Sequence, residues 1–134
     1  GQRFDGIISS HNLEHCNDRD RTLRAMAKNL KPSGLMCLSF PCAQSTSFPR
    51  RDGTLNYFDD ETHQFEPPKI DEVISVLRSE NIEIAYSAEQ YRPFLLSLIG
   101  LLLEPLSAFR KHVYPGTWAY HGFEAIIWAK KRAG

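Results

Sequence analysis

Short apolar runs alternate with stretches of helical period along the chain. Phe4 to Ser10 is an apolar run ending in two serines, the pattern of a buried parallel strand that delivers a loop at its C-terminal end. Asn17 and Asp18 can cap a helix over about 19–30, where Leu23, Met26, Ala27 and Leu30 repeat at i, i+3, i+4 and i+7. Lys31-Pro32-Ser33-Gly34 stops that helix, since proline cannot continue it and glycine admits a left-handed turn. Leu35 to Phe40 predicts a second strand. Residues 41–68 are rich in Ser, Thr, Pro and Asp without a sustained period, as in functional long loops. Ile70, Val73, Ile74 and Leu77 restore the helical spacing over about 69–80, and Ile82 to Ser87 predicts a third strand. An apolar insertion over about 92–118 follows, expected to be helical over about 94–112 and broken near Pro105. Phe123 to Lys130 predicts a final strand. Tandem strand-helix-strand units imply a parallel sheet with right-handed crossovers.

The 134 residues suit a single domain over 1–134 with a real core, and 16 basic residues cancel 16 acidic ones. Nothing supplies the positive field of a protein held on nucleic acid by phosphate contacts, so net charge itself names no partner and leaves small molecules, glycans and lipids open ahead of nucleic acid. Cys16, Cys37 and Cys42 form no CxxC pair and leave an odd count, which points to a reducing, cytoplasmic setting. Cys37, inside a strand, reads as a small core residue. Phe94 to Leu103 is broken by Ser97 and Gly100 and falls short of the roughly 20 residues that span a bilayer, so no transmembrane helix is predicted. Gly1 to Asp5 carries no initiator Met or targeting pattern and reads as a start inside a larger frame.

Two motifs one helix apart carry a resemblance. Phe4-Asp5 through Leu13-Glu14-His15 resembles the segment around the fourth strand of class I S-adenosylmethionine-dependent methyltransferases. Leu30-Lys31-Pro32-Ser33-Gly34 resembles the turn before their fifth strand. The resemblance implies a partial Rossmann-like α/β fold, mainly a parallel sheet with flanking helices. Its strands would be equivalent to the fourth to seventh of the family, the last one antiparallel. It implies S-adenosylmethionine as cofactor and methyl transfer as activity. The eight glycines include no GxG pair, so the family's glycine-rich cofactor turn is missing. The chain is therefore expected to be the C-terminal, acceptor-side half of a methyltransferase domain and inactive by itself.

In the family, the loop after this strand lies beside the cofactor's methionine portion and the acceptor. That implies cofactor contacts at Ser10, His11 and Leu13 and acceptor-side chemistry at His11 and Asn12, with His11 a general base or positioning group. His11, Glu14 and His15 share a face if helical, and His63 opens on the same sheet edge; Glu14, His15 and His63 are candidate ligands for a divalent metal. Two metal-dependent branches of the fold have a similar set with Glu where this chain has His11: the methyltransferases of small-RNA 3′ ends, which the stretch His63 to Glu66 also resembles, and the ubiquinone-pathway O-methyltransferases. Structural hydrogen bonding is the alternative for these residues. Arg50 and Arg51 read as a solvated turn, with contact to an anionic or aromatic acceptor, together with Tyr57 and Phe58, as the alternative. Burial inside the domain is the expectation for the apolar insertion, with an acceptor lid, a subunit contact or a membrane-surface helix as alternatives. The first strand has an open edge, which admits a homo-oligomer or a non-catalytic interaction module. A metal-dependent RNA-end methyltransferase is the remaining alternative.

Overall fold

A computed structural model describes residues 3–133. The elements are, in chain order, β1 (Phe4–Ser10), α1 (Arg19–Asn29), β2 (Leu30–Pro41), α2 (Ile70–Ser79), β3 (Ile82–Ala88), α3 (Phe94–Arg110), α4 (Thr117–His121) and β4 (Glu124–Lys131); all but the short α4 were predicted from the sequence. The Asp18 carboxylate caps α1 by accepting from the Arg21 N–H at 2.9 Å. Asp71 and Glu72 in the first turn of α2 and Arg78 in its last complement the helix dipole.

The strand order is β1-β2-β4-β3, with β1 and β2 parallel and β4 antiparallel to both of its neighbours. The expected mainly parallel sheet is thus corrected to a mixed one, in which one pairing of three is parallel. Periodicity located the strands but not their neighbours: the chain returns after α4 between β2 and β3, so β3 pairs with β4 and never directly with β2. The second strand also starts at Leu30 rather than Leu35, because Lys31-Pro32-Ser33-Gly34 is absorbed as an irregularity in the β1–β2 register, with Ser33 at φ 63°.

One sheet face carries the core. Met36, Leu38 and Phe40 of β2 and Ala125, Ile127 and Ala129 of β4 pack under Leu23 and Ala27 of α1 and Val73, Val76 and Leu77 of α2. Each large side chain buried there contributes roughly 1.5–3 kcal/mol. The opposite face is open. Ile8, Cys37, Trp128 and Tyr86 are cross-strand neighbours in one row over all four strands. Ile8 is 83% exposed, Trp128 and Tyr86 are exposed, and Cys37 is half-buried rather than a core residue.

The long loop is organised by side chains. Asn56 donates to the Thr46 and Phe48 carbonyls and forms a capping box with Asp59 around a short helical turn. The Arg51 guanidinium, 5% exposed, grips both oxygens of Glu104 at 2.6 and 2.9 Å and donates to Ser107 Oγ at 2.7 Å, fastening the loop to α3. That pairing replaces the expected solvated turn at Arg51, whereas Arg50 stays exposed. Nor is α3 broken at Pro105. Pro105 and Leu101, whose carbonyl the missing N–H would have met, are both exposed, so water can serve that carbonyl. The apolar insertion is likewise not buried in the described structure: most of its large side chains are exposed.

Candidate functional site

The site lies at the C-terminal end of β1, where open α/β sheets present their loops. His11 follows the strand at φ 48°, the left-handed region, and its N–H donates to the Ser39 carbonyl of β2 at 2.9 Å. This turn swings the imidazole under the sheet edge. Nε2 meets Glu124 Oε1 of β4 at 2.6 Å, and Nδ1 lies 3.3 Å from Glu14 Oε1. The ring stacks near-parallel on Phe123, centroids 6.2 Å apart, and tilts on Trp118 at 5.4 Å. Burial alone would lower its pKa, but the bond to Glu124 and the approach of Glu14 outweigh it and raise the value from 6.5 to about 9. With that value His11 is a cation at neutral pH, its ring held between the side chains of Glu124 and Glu14.

Glu124 also lines a cavity of about 340 Å³ with Tyr91, Leu96, Val113, Tyr114 and Trp118. The walls are apolar and aromatic, with Glu124 the acidic group among them, a composition suited to a small organic ligand. The Trp118 indole is fixed by donating Nε1–H to the Thr54 carbonyl at 2.9 Å, so the long loop holds a wall of the cavity.

The sequence candidates divide into two groups. Ser10 is exposed and bonds Ser39 side chain to side chain at 2.9 Å, and Asn12 is exposed beside it. The Leu13 side chain, by contrast, is fully buried in the core, so it offers a cofactor only backbone. Leu13–His15 forms a single helical turn with His11 outside it, and the face expected to join His11, Glu14 and His15 is not formed as a helix. Instead, Glu14, His15 and His63 bring one ligand atom each to within 4.8 Å of one another. Arg19 draws their two segments together by donating to the Leu13 and Glu66 carbonyls.

This second cluster has the donor set of a divalent-metal site. Glu14 is completely buried, and neither of its oxygens accepts a hydrogen bond. The His11 contact is therefore charge attraction alone. His63, with a side chain 4% exposed, donates Nδ1–H to the Tyr57 carbonyl at 2.6 Å, a tautomer that puts the lone pair on Nε2, which lies 3.7 Å from Asp60 Oδ2. Its ring stacks on Tyr57 at 4.2 Å. The Tyr57 hydroxyl is another buried group without a partner, and burial pushes its pKa up to about 12.

Glu124 escaped the sequence reading. The available signal was an acidic residue at the start of an otherwise apolar strand. Its partner His11 stands 113 positions away, a separation no periodicity spans.

The mixed sheet, with its last strand inserted antiparallel between β2 and β3, defines an α/β fold with a loop-borne site at its edge. A family described as "Methyltransferase domain" matches residues 1–88, and the chain belongs to it. Among solved structures, an S-adenosylmethionine-dependent methyltransferase from Mesorhizobium loti is 16% identical with a TM-score of 0.63, covering 97% of this chain and 62% of that one. One from Archaeoglobus fulgidus is 19% identical with a TM-score of 0.55, covering 97% and 60%. The [4+2]-cyclase SpnF is 16% identical with a TM-score of 0.54, covering 99% and 51%. These likenesses establish the class I fold, and the cyclase shows that the fold alone does not fix the reaction. The chain spans between half and two-thirds of these relatives' length. No curated protein matches it.

Proposed function

We propose that the chain is the acceptor-side half of an S-adenosylmethionine-dependent methyltransferase whose acceptor enters the cavity beside Glu124. The observation that carries this is the meeting of His11 and Glu124, from two strands, at the wall of an apolar cavity next to the β1 loop. The cofactor, when bound, supplies an electrophilic methyl group on a sulfonium. Ser10 and Asn12 offer it a polar rim, and Leu13 a backbone contact. No glycine turn is present to cradle it, so the main anchor belongs to a preceding part of the fold. The bare row Ile8, Cys37, Trp128 and Tyr86 supports that division, because an apolar sheet face of this kind needs a covering layer.

Within the cavity, the aromatic walls orient an apolar or aromatic acceptor, and Glu124 receives the proton that leaves its hydroxyl or amine. His11, a cation at neutral pH, holds Glu124 in place and is a positioning residue. Alignment of donor and acceptor supplies most of the rate in such a transfer. The test is formation of S-adenosylhomocysteine by the full gene product with a panel of phenols, catechols, fatty hydroxyls and amines. Turnover that falls at least a hundredfold in Glu124→Gln supports the reading. Undiminished turnover in that variant removes Glu124 from it, and no product with any acceptor leaves a non-catalytic module that self-associates through the open β1 edge.

As a second reading, we propose that Glu14, His15 and His63 hold a divalent cation. The buried Glu14 side chain, whose oxygens accept no hydrogen bond and meet only His11 by charge, favours it over plain structural bonding. A cation there would polarise an acceptor oxygen as a Lewis acid, and two imidazoles with one carboxylate suit zinc or manganese better than magnesium. Calorimetric titration with each ion decides: binding lost in Glu14→Gln supports the site, and binding that survives that change places the ion elsewhere. The neutral net charge speaks against an RNA acceptor.

A further inference from the structure

Helix α3 is amphipathic in the reverse sense to a core helix. The residues it turns toward the protein are mostly small or polar, with Leu96 at the cavity wall and Leu103 half-buried as the large exceptions. Gly100 lies so close to Gly116 that a Cβ would run into the Gly116 backbone. Ser97 donates to the Ala119 carbonyl at 3.2 Å, Ser107 donates to the His112 carbonyl at 2.6 Å, and Glu104 is held by Arg51. The other large side chains point outward. At the helical 100° per residue, Phe94, Leu95, Leu98, Leu102, Leu106 and Phe109 fall within an arc of about 120°, which Leu101 and Ile99 widen to about 160°. All are exposed, Phe94 by 78%, Leu102 by 72% and Phe109 by 84%.

We propose that α3 is an interfacial helix that seats this face in the plane of an anionic lipid bilayer. Three observations select that occupant. The first is the breadth of the arc: a partner helix covers one seam, whereas acyl chains cover half a cylinder at once. The second is charge. Between Tyr91 and Lys111 the sole acid is Glu104, turned inward on Arg51, while exposed Arg110 and Lys111 stand at the C-terminal end, where they would reach headgroup phosphates; Arg92 at the other end donates to the His121 carbonyl. The third is length. Seventeen residues make about 26 Å of helix, and among the described residues no helix is long and apolar enough to cross a membrane. A half-apolar helix of this kind lies in the interface with its apolar side about 5–10 Å deep. Neither methyl transfer nor a cofactor enters the argument, so the proposal stands or falls separately from the reading above.

The test is cosedimentation of the full gene product with vesicles of phosphatidylcholine, with and without phosphatidylglycerol. The expected result is binding that requires phosphatidylglycerol, weakens about fivefold in each of Arg110→Gln and Lys111→Gln, and disappears in Leu102→Asp with the circular dichroism unchanged. Should Leu102→Asp misfold, Phe94→Ser at the start of the helix replaces it, and Leu102→Trp adds a blue-shifted emission only in the presence of the anionic vesicles. Absence of binding to either vesicle overturns the proposal, as does binding indifferent to phosphatidylglycerol or to these substitutions. A dimer in sedimentation velocity that Leu102→Asp converts to a monomer also overturns it, assigning the face to a second copy.

Discussion

Replacing Arg51 by methionine should be the most damaging single change in the long loop. The guanidinium makes three charge-assisted bonds, two to Glu104 and one to Ser107 Oγ, at a position 5% exposed. Without it, Ser107 still donates to the His112 carbonyl, but Glu104 keeps only His121 Nε2 at 3.2 Å. Breaking a buried pair by removing one partner costs about 3–5 kcal/mol. Glu104 is 19% exposed and can draw in water, which brings the expected loss to about 2–3 kcal/mol. The bond from Arg51 first, and then the charge of His121, hold the Glu104 carboxyl below its ordinary value of 4.5 against the opposing effect of burial. A depressed folded pKa contributes stability that is present above 4.5 and lost as pH falls through the folded value. Urea unfolding of Arg51→Met followed by circular dichroism should therefore show a lower midpoint at pH 7 and a shallower acid dependence than the wild type. The double variant Arg51→Met, Glu104→Leu should recover most of the loss, because no charge is then stranded. A single variant within about 0.5 kcal/mol of the wild type, the usual range for surface changes, or a double variant no better than the single, would refute the clamp.

Three further outcomes are expected. The His11 imidazole, followed by NMR, should titrate near pH 9, and Glu124→Gln should lower that midpoint by removing the strongest of its supports; a wild-type midpoint at an ordinary histidine value contradicts the geometry. Gly100→Val should separate α3 from α4 and cost about 1–3 kcal/mol through overpacking, seen as faster amide exchange in α3, since the obstructing atoms are Gly116 backbone and cannot swing aside. Trp118→Leu should leave folding intact but open the cavity, raising KM for an apolar acceptor more than it lowers kcat.

What the sequence disclosed follows from what is local. The spacing of Leu23, Met26 and Ala27, the cap at Asp18 and the punctuation around Pro32 act within a few residues, and the elements they specify are present. The family was legible for the same reason, since Leu13-Glu14-His15 and Lys31 to Gly34 are contiguous stretches. Strand order was not, because β4 is admitted between β2 and β3 by pairings between residues that lie far apart in the chain. In the site, His15 and His63 were named from residue type and sheet edge, and they do meet Glu14. His11 was named too, but its protonation depends on Glu124, whose side chain arrives from the far end of the chain. The interior of the long loop was opaque because Asn56 and Arg51 organise it through side-chain bonds that leave no period.

We propose that this chain supplies the acceptor side of a methyltransferase, with the cofactor's main anchor in a preceding part of the fold. Calorimetric titration of S-adenosylmethionine into the full gene product and into residues 1–134 tests it most directly. The account predicts saturable binding by the full product and none, or far weaker binding, by residues 1–134. Equal binding by the two would contradict the division of the site, and no binding by the full product would contradict the function itself.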